Sequence, residues 1–311
     1  MTRRHALLDE IPGQARARLR LRGPDTRRFL QGTLTADLES LTSGTALAAA
    51  LCTVKGKLVT ELVLLPGADA EHVDALVPAD GAAALAEHFD RHIIMDDVEV
   101  ELVGPVAVAV MWSTDETAVP PVSVPGVEDF STRHPAPGRL LVGAPSALAT
   151  ALAKSTAVDA NGWAAHRIAT ASPAWGHELR PDFFPPEIGF VHAVSYDKGC
   201  FLGQEPLARI HARGQVNRVM VRVKADRVPA EAVSLSGQGR DDAGRWSTWA
   251  TTDDGVRGLA IVRRAVASSG TALETTGDGS IAVEVISEPL GDDPGLPGRS
   301  RAATVKLGGR R

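Results

Sequence analysis

The sequence predicts an α+β fold, a largely antiparallel sheet layered with helices, followed by a small all-β module. Three observations carry this. Residues 46–53 and 58–65 are apolar runs of strand length joined by Val54-Lys55-Gly56-Lys57, a turn too short for parallel strands. Around that hairpin, stretches that alternate apolar and polar residues are interleaved with segments whose apolar residues recur every four positions. Beyond Val216 the helical spacing stops, and short alternating strands separated by Gly- and Asp-rich turns take over. At 311 residues with 44% hydrophobic content, the chain can bury the cores of two or three modules.

Taken in order, residues 15–21 alternate Ala15, Ala17, Leu19 and Leu21 with arginines, the period of a strand with one buried face and a solvated arginine face. Gly23-Pro24-Asp25 opens a helix that carries Phe29 and Leu30 inward and ends at Gln31-Gly32. A short turn capped by Thr35 precedes the hairpin. Residues 72–77 form a strand, Asp80 caps a helix through Leu85, Phe89 and Ile93, and two strands follow at 98–102 and 106–110. Residues 119–138 hold five prolines and read as a long surface connection. A strand at 139–142 precedes a helix capped by Ser146, and a second helix from about 159 to 170 puts Trp163 and Arg167 one turn apart on one face.

A net charge of −5 argues against a nucleic-acid protein defined by bulk charge, while a local basic patch stays open. No signal-peptide run and no stretch of about 18 apolar residues occurs, which reads as a cytoplasmic protein without membrane partners. Cys52 and Cys200 lie far apart, against a disulfide framework or a four-cysteine metal site, although a bridge between the two stays open. No Walker or dinucleotide loop and no metalloprotease His-Glu pair is present.

The stretch 196–213 concentrates unusual residues: the single tyrosine, Tyr196, one of two cysteines, and, from Lys198 on, basic side chains against Glu205 alone. A helix beginning near Gly203-Gln204-Glu205 places Cys200 just before a helix N-terminus, where free N–H groups and Lys198 favour a thiolate or a ligand carboxylate. By spacing alone, a half-buried structural cysteine with solvated arginines is the simpler account. His211 as a base for Cys200 is disfavoured, because the intervening turn and helix point the two apart.

The run Lys198-Gly199-Cys200-Phe201-Leu202-Gly203-Gln204-Glu205, with Arg209 beyond it, resembles the Lys-Gly-Cys-aromatic-x-Gly-Gln-Glu signature of the YgfZ-type folate-binding proteins of the glycine-cleavage T-protein superfamily. Phe29-Leu30-Gln31-Gly32 with Thr35 and Asp37, and Cys52 through Lys55-Gly56-Lys57, are similar to two further motifs of that family. The segment from Arg167 through Trp175-Gly176-His177-Glu178-Leu179 to Pro186-Glu187-Ile188-Gly189 resembles a T-protein stretch, with Ala169 in place of a glutamate.

The resemblance implies a T-protein fold with a central funnel for tetrahydrofolate or a one-carbon derivative and no stable metal. It divides the chain into a discontinuous folate domain (15–45 with 155–215), a ferredoxin-like layer (46–150), a β-barrel (217–288) and a mobile tail (289–311). It makes Cys200 the functional thiol, with Lys198 setting its electrostatics. It points to Arg167, Arg209 and Arg213 for the folate tail, to Trp175, Tyr196 and Phe29 for the ring system, and to Gln31, Lys57, Glu187, Gly203, Gln204 and Glu205 as site residues. In aminomethyltransferases an acidic pair follows the hairpin glycines; here Thr60 and Glu61 stand there. Threonine cannot act as general acid or base near neutral pH, and Glu61 faces the opposite side of the sheet. The implied role is an accessory factor for iron-sulfur enzymes, with client enzymes or assembly proteins as partners. The rivals are a one-carbon transferase acting on glycine, sarcosine or a tRNA base, and a protein-binding module with a vestigial funnel.

Overall fold

The structure, a computed structural model, describes residues 2–115, 118–213, 216–277 and 279–291; the expected tail lies, from residue 292 on, outside the described residues. The chain opens with β1 (Arg3–Leu7), β2 (Arg16–Arg22), α1 (Thr26–Thr33), β3 (Leu47–Cys52), β4 (Leu58–Pro66), β5 (His72–Pro78) and α2 (Ala82–His92). There follow β6 (Glu99–Ser113), β7 (Val127–Thr132), β8 (Gly138–Gly143), α3 (Pro145–Leu152), β9 (Thr156–Ala157), α4 (Ala160–Thr170) and α5 (Gln204–Arg213). The first nine strands form one sheet in the order β3-β4-β5-β2-β6-β1-β9, with β8 on β6 and β7 on β8.

Register decides which side chains share a face. Ala50 pairs with Glu61 and Leu51 with Thr60 across the β3–β4 hairpin, so each pair points to one side. Leu51, Leu62 and Leu64 pack with Phe29 and Leu30 of α1 and Phe89 of α2. Val63 and Leu65 pack on the other side with Trp112, Phe130 and Trp163 of α4. Thr60 therefore lies on the α1/α2 side, and Glu61 on the side that faces α4.

The arginine face of β2 is not solvated. β2 is hydrogen-bonded to β5 and β6, and its arginines meet acids on neighbouring strands. Arg16 pairs with Glu61, Arg18 with Asp74 and Glu128, and Arg20 with Asp74. Because β2 is a central strand of the 46–150 sheet, residue 46 is not a boundary of that layer. The two strands expected at 98–110 are one, β6, whose register shifts opposite Arg18 and Leu19. β7 lies inside the expected proline-rich connection; its Glu128, Ser131 and paired arginine contacts hid the strand period. Asp80 and Ser146 are not N-caps: Gly81 and Ala144 hold those positions. Asp159 does cap α4, accepting from the Gly162 N–H at 2.8 Å.

After α5 come β10 (Arg218–Ala225), β11 (Val233–Gly237), β12 (Arg240–Thr252), β13 (Gly255–Arg263), β14 (Ala272–Thr275) and β15 (Ala282–Val285), which close into a barrel. Val221, Leu235, Trp246, Val262 and Val283 fill it. The barrel docks on α4 through polar contacts: Asn161 donates to the Thr251 carbonyl at 3.0 Å, and Arg222 donates to the carbonyls of Ile168 and Ala169, both at 2.7 Å. A guanidinium on the last carbonyls of a helix also meets the negative end of its dipole.

Candidate functional site

Two sequence motifs 150 residues apart form one structural unit. Gly203 adopts φ +81°, and a Cβ there would fall 2.5 Å from the Thr53 carbonyl oxygen and 3.1 Å from Gly56 Cα. Gly56, at φ +74°, leaves the same kind of room for Pro206. Only glycines let the hairpin turn lie on the start of α5 this closely. Cys200 sits at this junction and is exposed, in a groove of about 430 Å³ with Gly32, Val54, Phe201, Gln204 and Glu205. It is not the half-buried packing cysteine that spacing alone favours. Cys52 is the packed one: burial pushes its thiol up to about 12.

Several expected site residues have other work. The Lys198 ammonium is buried and donates to the carbonyls of Leu34 and Ala36, at 2.8 and 2.5 Å, so it ties down the segment after α1 rather than facing Cys200. Burial lowers it to about 8 although Asp37 opposes this. Gln31 bridges the Asp37 carboxylate and the Leu38 N–H. One face of Tyr196 is covered by His211, ring centroids 4.0 Å apart. Phe29 is core, edge-on to Phe89.

Glu187, Arg209 and Arg213 line a second cleft, of about 280 Å³, with Phe184, Pro206 and Ile210. Arg209 pairs with Glu205 on the exposed side of α5. Lys57 lies 3.7 Å from buried Glu187 and 3.5 Å above the Phe184 ring.

The third location is a half-open pocket. A cavity of about 300 Å³ lies between α4, β12 and the segment before β2, lined by Gln14, Trp163, Arg167, His177, Thr248 and Trp249. Arg167 is 2% exposed. It donates to Glu178 at 3.0 Å, to the Ser172 carbonyl at 3.1 Å and to the Thr248 hydroxyl at 2.9 Å. Glu178 also accepts from the hydroxyls of Ser247 and Thr248, at 2.6 and 2.7 Å. Burial alone would raise the Glu178 carboxyl, but Arg167, His177 and these donors hold it below its ordinary value. After these bonds are made, three buried atoms at this cavity have no partner among the described residues: Gln14 Oε1, Trp163 Nε1 and Arg167 Nε. Native interiors rarely leave such groups unmet. Trp175 stands beside the cavity, its carbonyl accepting from Gln14 at 3.4 Å.

On the same side of the sheet Glu61 is fully buried, paired with Arg16 at 2.8 Å and with His134. Glu61 faces the opposite side of the sheet from Thr60, as adjacent strand residues do. Burial would raise its carboxyl, but Arg16 and His134 hold it at about 2, which makes it a fixed negative charge and a weak general base. Arg16 Nε and Nη2 and His134 Nδ1 are buried without a hydrogen-bond partner among the described residues.

No family model matches the chain. A tRNA-modifying protein YgfZ of Pectobacterium carotovorum subsp. carotovorum (strain PC1) is 26% identical over 235 residues, covering 70% of this chain and 71% of that protein. One of Yersinia pseudotuberculosis serotype O:1b (strain IP 31758) is 24% identical over 297 residues, covering 88% and 90%. Among solved structures, the glycine cleavage system aminomethyltransferase T of Bartonella henselae superposes with TM-score 0.74 at 17% identity, over 94% of this chain and 87% of that one. The chain is similar in sequence to YgfZ proteins and has the T-protein fold.

In this YgfZ-like chain the residues singled out from sequence are spread over the Cys200 groove, the Glu187 cleft and the half-open pocket, where only Arg167 lies. Sequence reading missed Gln14, Arg16, Trp249 and Thr248 as cavity or buried-charge residues. The one signal for them was Trp163 and Arg167 sharing a helix face, which pointed at a lining without naming the opposite wall. Among the described residues no group of three or more His, Cys, Asp or Glu is arranged to hold a metal, and no helix is long and apolar enough to cross a membrane.

Proposed function

We propose that this chain binds tetrahydrofolate or a one-carbon derivative in the cavity between α4 and β12, and serves in the cytoplasm as an accessory factor for assembly or repair of iron-sulfur enzymes. The observation that carries the folate part is the set of unpartnered buried atoms, Gln14 Oε1, Trp163 Nε1 and Arg167 Nε, around an aromatic-walled space. A pterin ring suits it, being flat and edged with both donors and acceptors. At about 300 Å³ the space is at the small end for a ligand pocket, enough for the ring system while the rest of the molecule extends outward. Trp163, Trp249, Gln14 and Arg167 would hold that ring. The bound folate would supply a carrier for a one-carbon unit on its ring nitrogens.

The iron-sulfur part rests on the resemblance of the 198–205 motif and on the exposure of Cys200 at the hairpin junction. The name of the relatives favours a tRNA outcome, and a client that needs its cluster to modify tRNA makes the two readings one. Conventional aminomethyl transfer is disfavoured, because Thr60 faces α1 and Glu61 is locked in ion pairs. Calorimetric titration with tetrahydrofolate tests the cavity: saturable binding is expected for the native chain, and no heat at high micromolar ligand sinks the reading. Complementation of a deletion strain, read as the activity of its iron-sulfur enzymes, is expected to succeed with the native chain and fail with a folded Cys200→Ala variant.

A further inference from the structure

Beside the Cys200 groove, α5 and the elements packed on it gather positive charge in a chain of net charge −5. Lys55 and Lys57 flank the hairpin turn that Gly56 seats on Pro206. Arg209 and Arg213 follow one turn apart on α5, and Arg218 begins the barrel 5.8 Å from the Phe183 ring. Phe183 is fixed to the same hairpin, its carbonyl accepting from the Leu58 N–H at 2.8 Å. Against these five cations stand buried Glu187 and exposed Glu205, held by Lys57 and Arg209. Lys55, Arg213 and Arg218 have no acidic partner among the described residues, and the face stays positive even with exposed Asp182 counted. Between the cations lies the cleft floored by Phe184, Pro206, Ile210 and Val216.

We propose that this face docks a single-stranded RNA segment, with phosphates on the arginine and lysine rim and an unstacked base on the apolar floor. Two observations select that partner. Aromatic rings interleaved with cations are what single strands use, because every base has a π-face and every linkage a charge. The cleft is also a concave space of about 280 Å³, which suits one splayed base rather than the regular groove of a duplex. A folate polyglutamate tail would use the cations but leave the apolar floor without a purpose.

The test is fluorescence anisotropy of labelled oligouridine titrated with the full chain at several salt concentrations. Saturable binding is expected, with a log–log salt slope of about −2 for three phosphate contacts. The Arg209→Glu/Arg213→Glu double variant should bind about tenfold more weakly with a slope flatter by about 1 to 2. Phe184→Leu should weaken binding severalfold with the slope unchanged, and Arg257→Glu on the barrel should bind as the native chain does. Absence of binding in low salt, or native affinity in the double variant, overturns the proposal. Binding of a polyglutamylated tetrahydrofolate in competition with these arginines, without RNA binding, overturns it too and assigns them to the tail. Tetrahydrofolate monoglutamate titrated into the same variants reads the half-open pocket separately.

Discussion

The half-open pocket and the Cys200 rim are built on opposite terms. In the pocket wall, Arg167 and Glu178 are desolvated and bonded to each other and to their neighbours, so position is fixed and loss of either leaves a buried charge. At the rim, Cys200 and the arginines of α5 are exposed, and what is fixed there is the backbone beneath them, through Gly203 and Gly56. The first region can select a ligand by shape and hydrogen bonding. The second can present groups to something larger without reorganising.

The sharpest way to break this contrast is Glu178→Ala. It should cost about 3–5 kcal/mol in a urea melt, because Arg167 is left buried without its carboxylate. A loss under 1 kcal/mol would mean the buried pair does not fix this wall. Next is acid. Glu61 is held at about 2 against an ordinary 4.5, so its pairing contributes fully above pH 4.5 and fades as pH falls through about 2. Roughly 3 kcal/mol should disappear across that window, and Glu61→Gln should flatten the dependence. Gly203→Ala should cost about 1–3 kcal/mol from positive φ and the contact with Thr53, with heat-labilised α5 seen by hydrogen exchange. Trp163→Phe removes the N–H and opens a small void in the core; folate affinity should fall three- to tenfold, about one hydrogen bond, beside a stability loss of about 1–2 kcal/mol in the melt. Smallest is Cys200→Ala, expected within about 0.5 kcal/mol of native stability. Iodoacetamide labelling followed by mass spectrometry should mark Cys200 quickly and leave Cys52 unmodified until unfolding.

Much of the fold was legible because its signals are local. The 54–57 turn, the four-residue spacing of α2, the helix at 159–170 and the barrel strands each need only a short window. The rim was legible in the same way, as one contiguous motif. The arginines of β2 were misread because their partners, Glu61, Asp74 and Glu128, lie up to 110 residues away, and an alternating strand looks the same whether its charged face meets water or acids. The cavity was hidden for a related reason: Gln14, Trp163 and Thr248 are ordinary residues until the fold brings them together and leaves their polar atoms unmet.

That dispersal also sets when the cavity can exist. Its walls come from the segment before β2, from α4 and from β12, so two walls are synthesised long before the third. At typical translation rates of about 5–20 residues per second, the gap between Trp163 and Trp249 amounts to several seconds. During that interval Arg167 lacks Thr248 and Glu178 lacks Ser247. A small molecule that rescues a slow-folding variant through this pocket therefore has to act after β12 has been made.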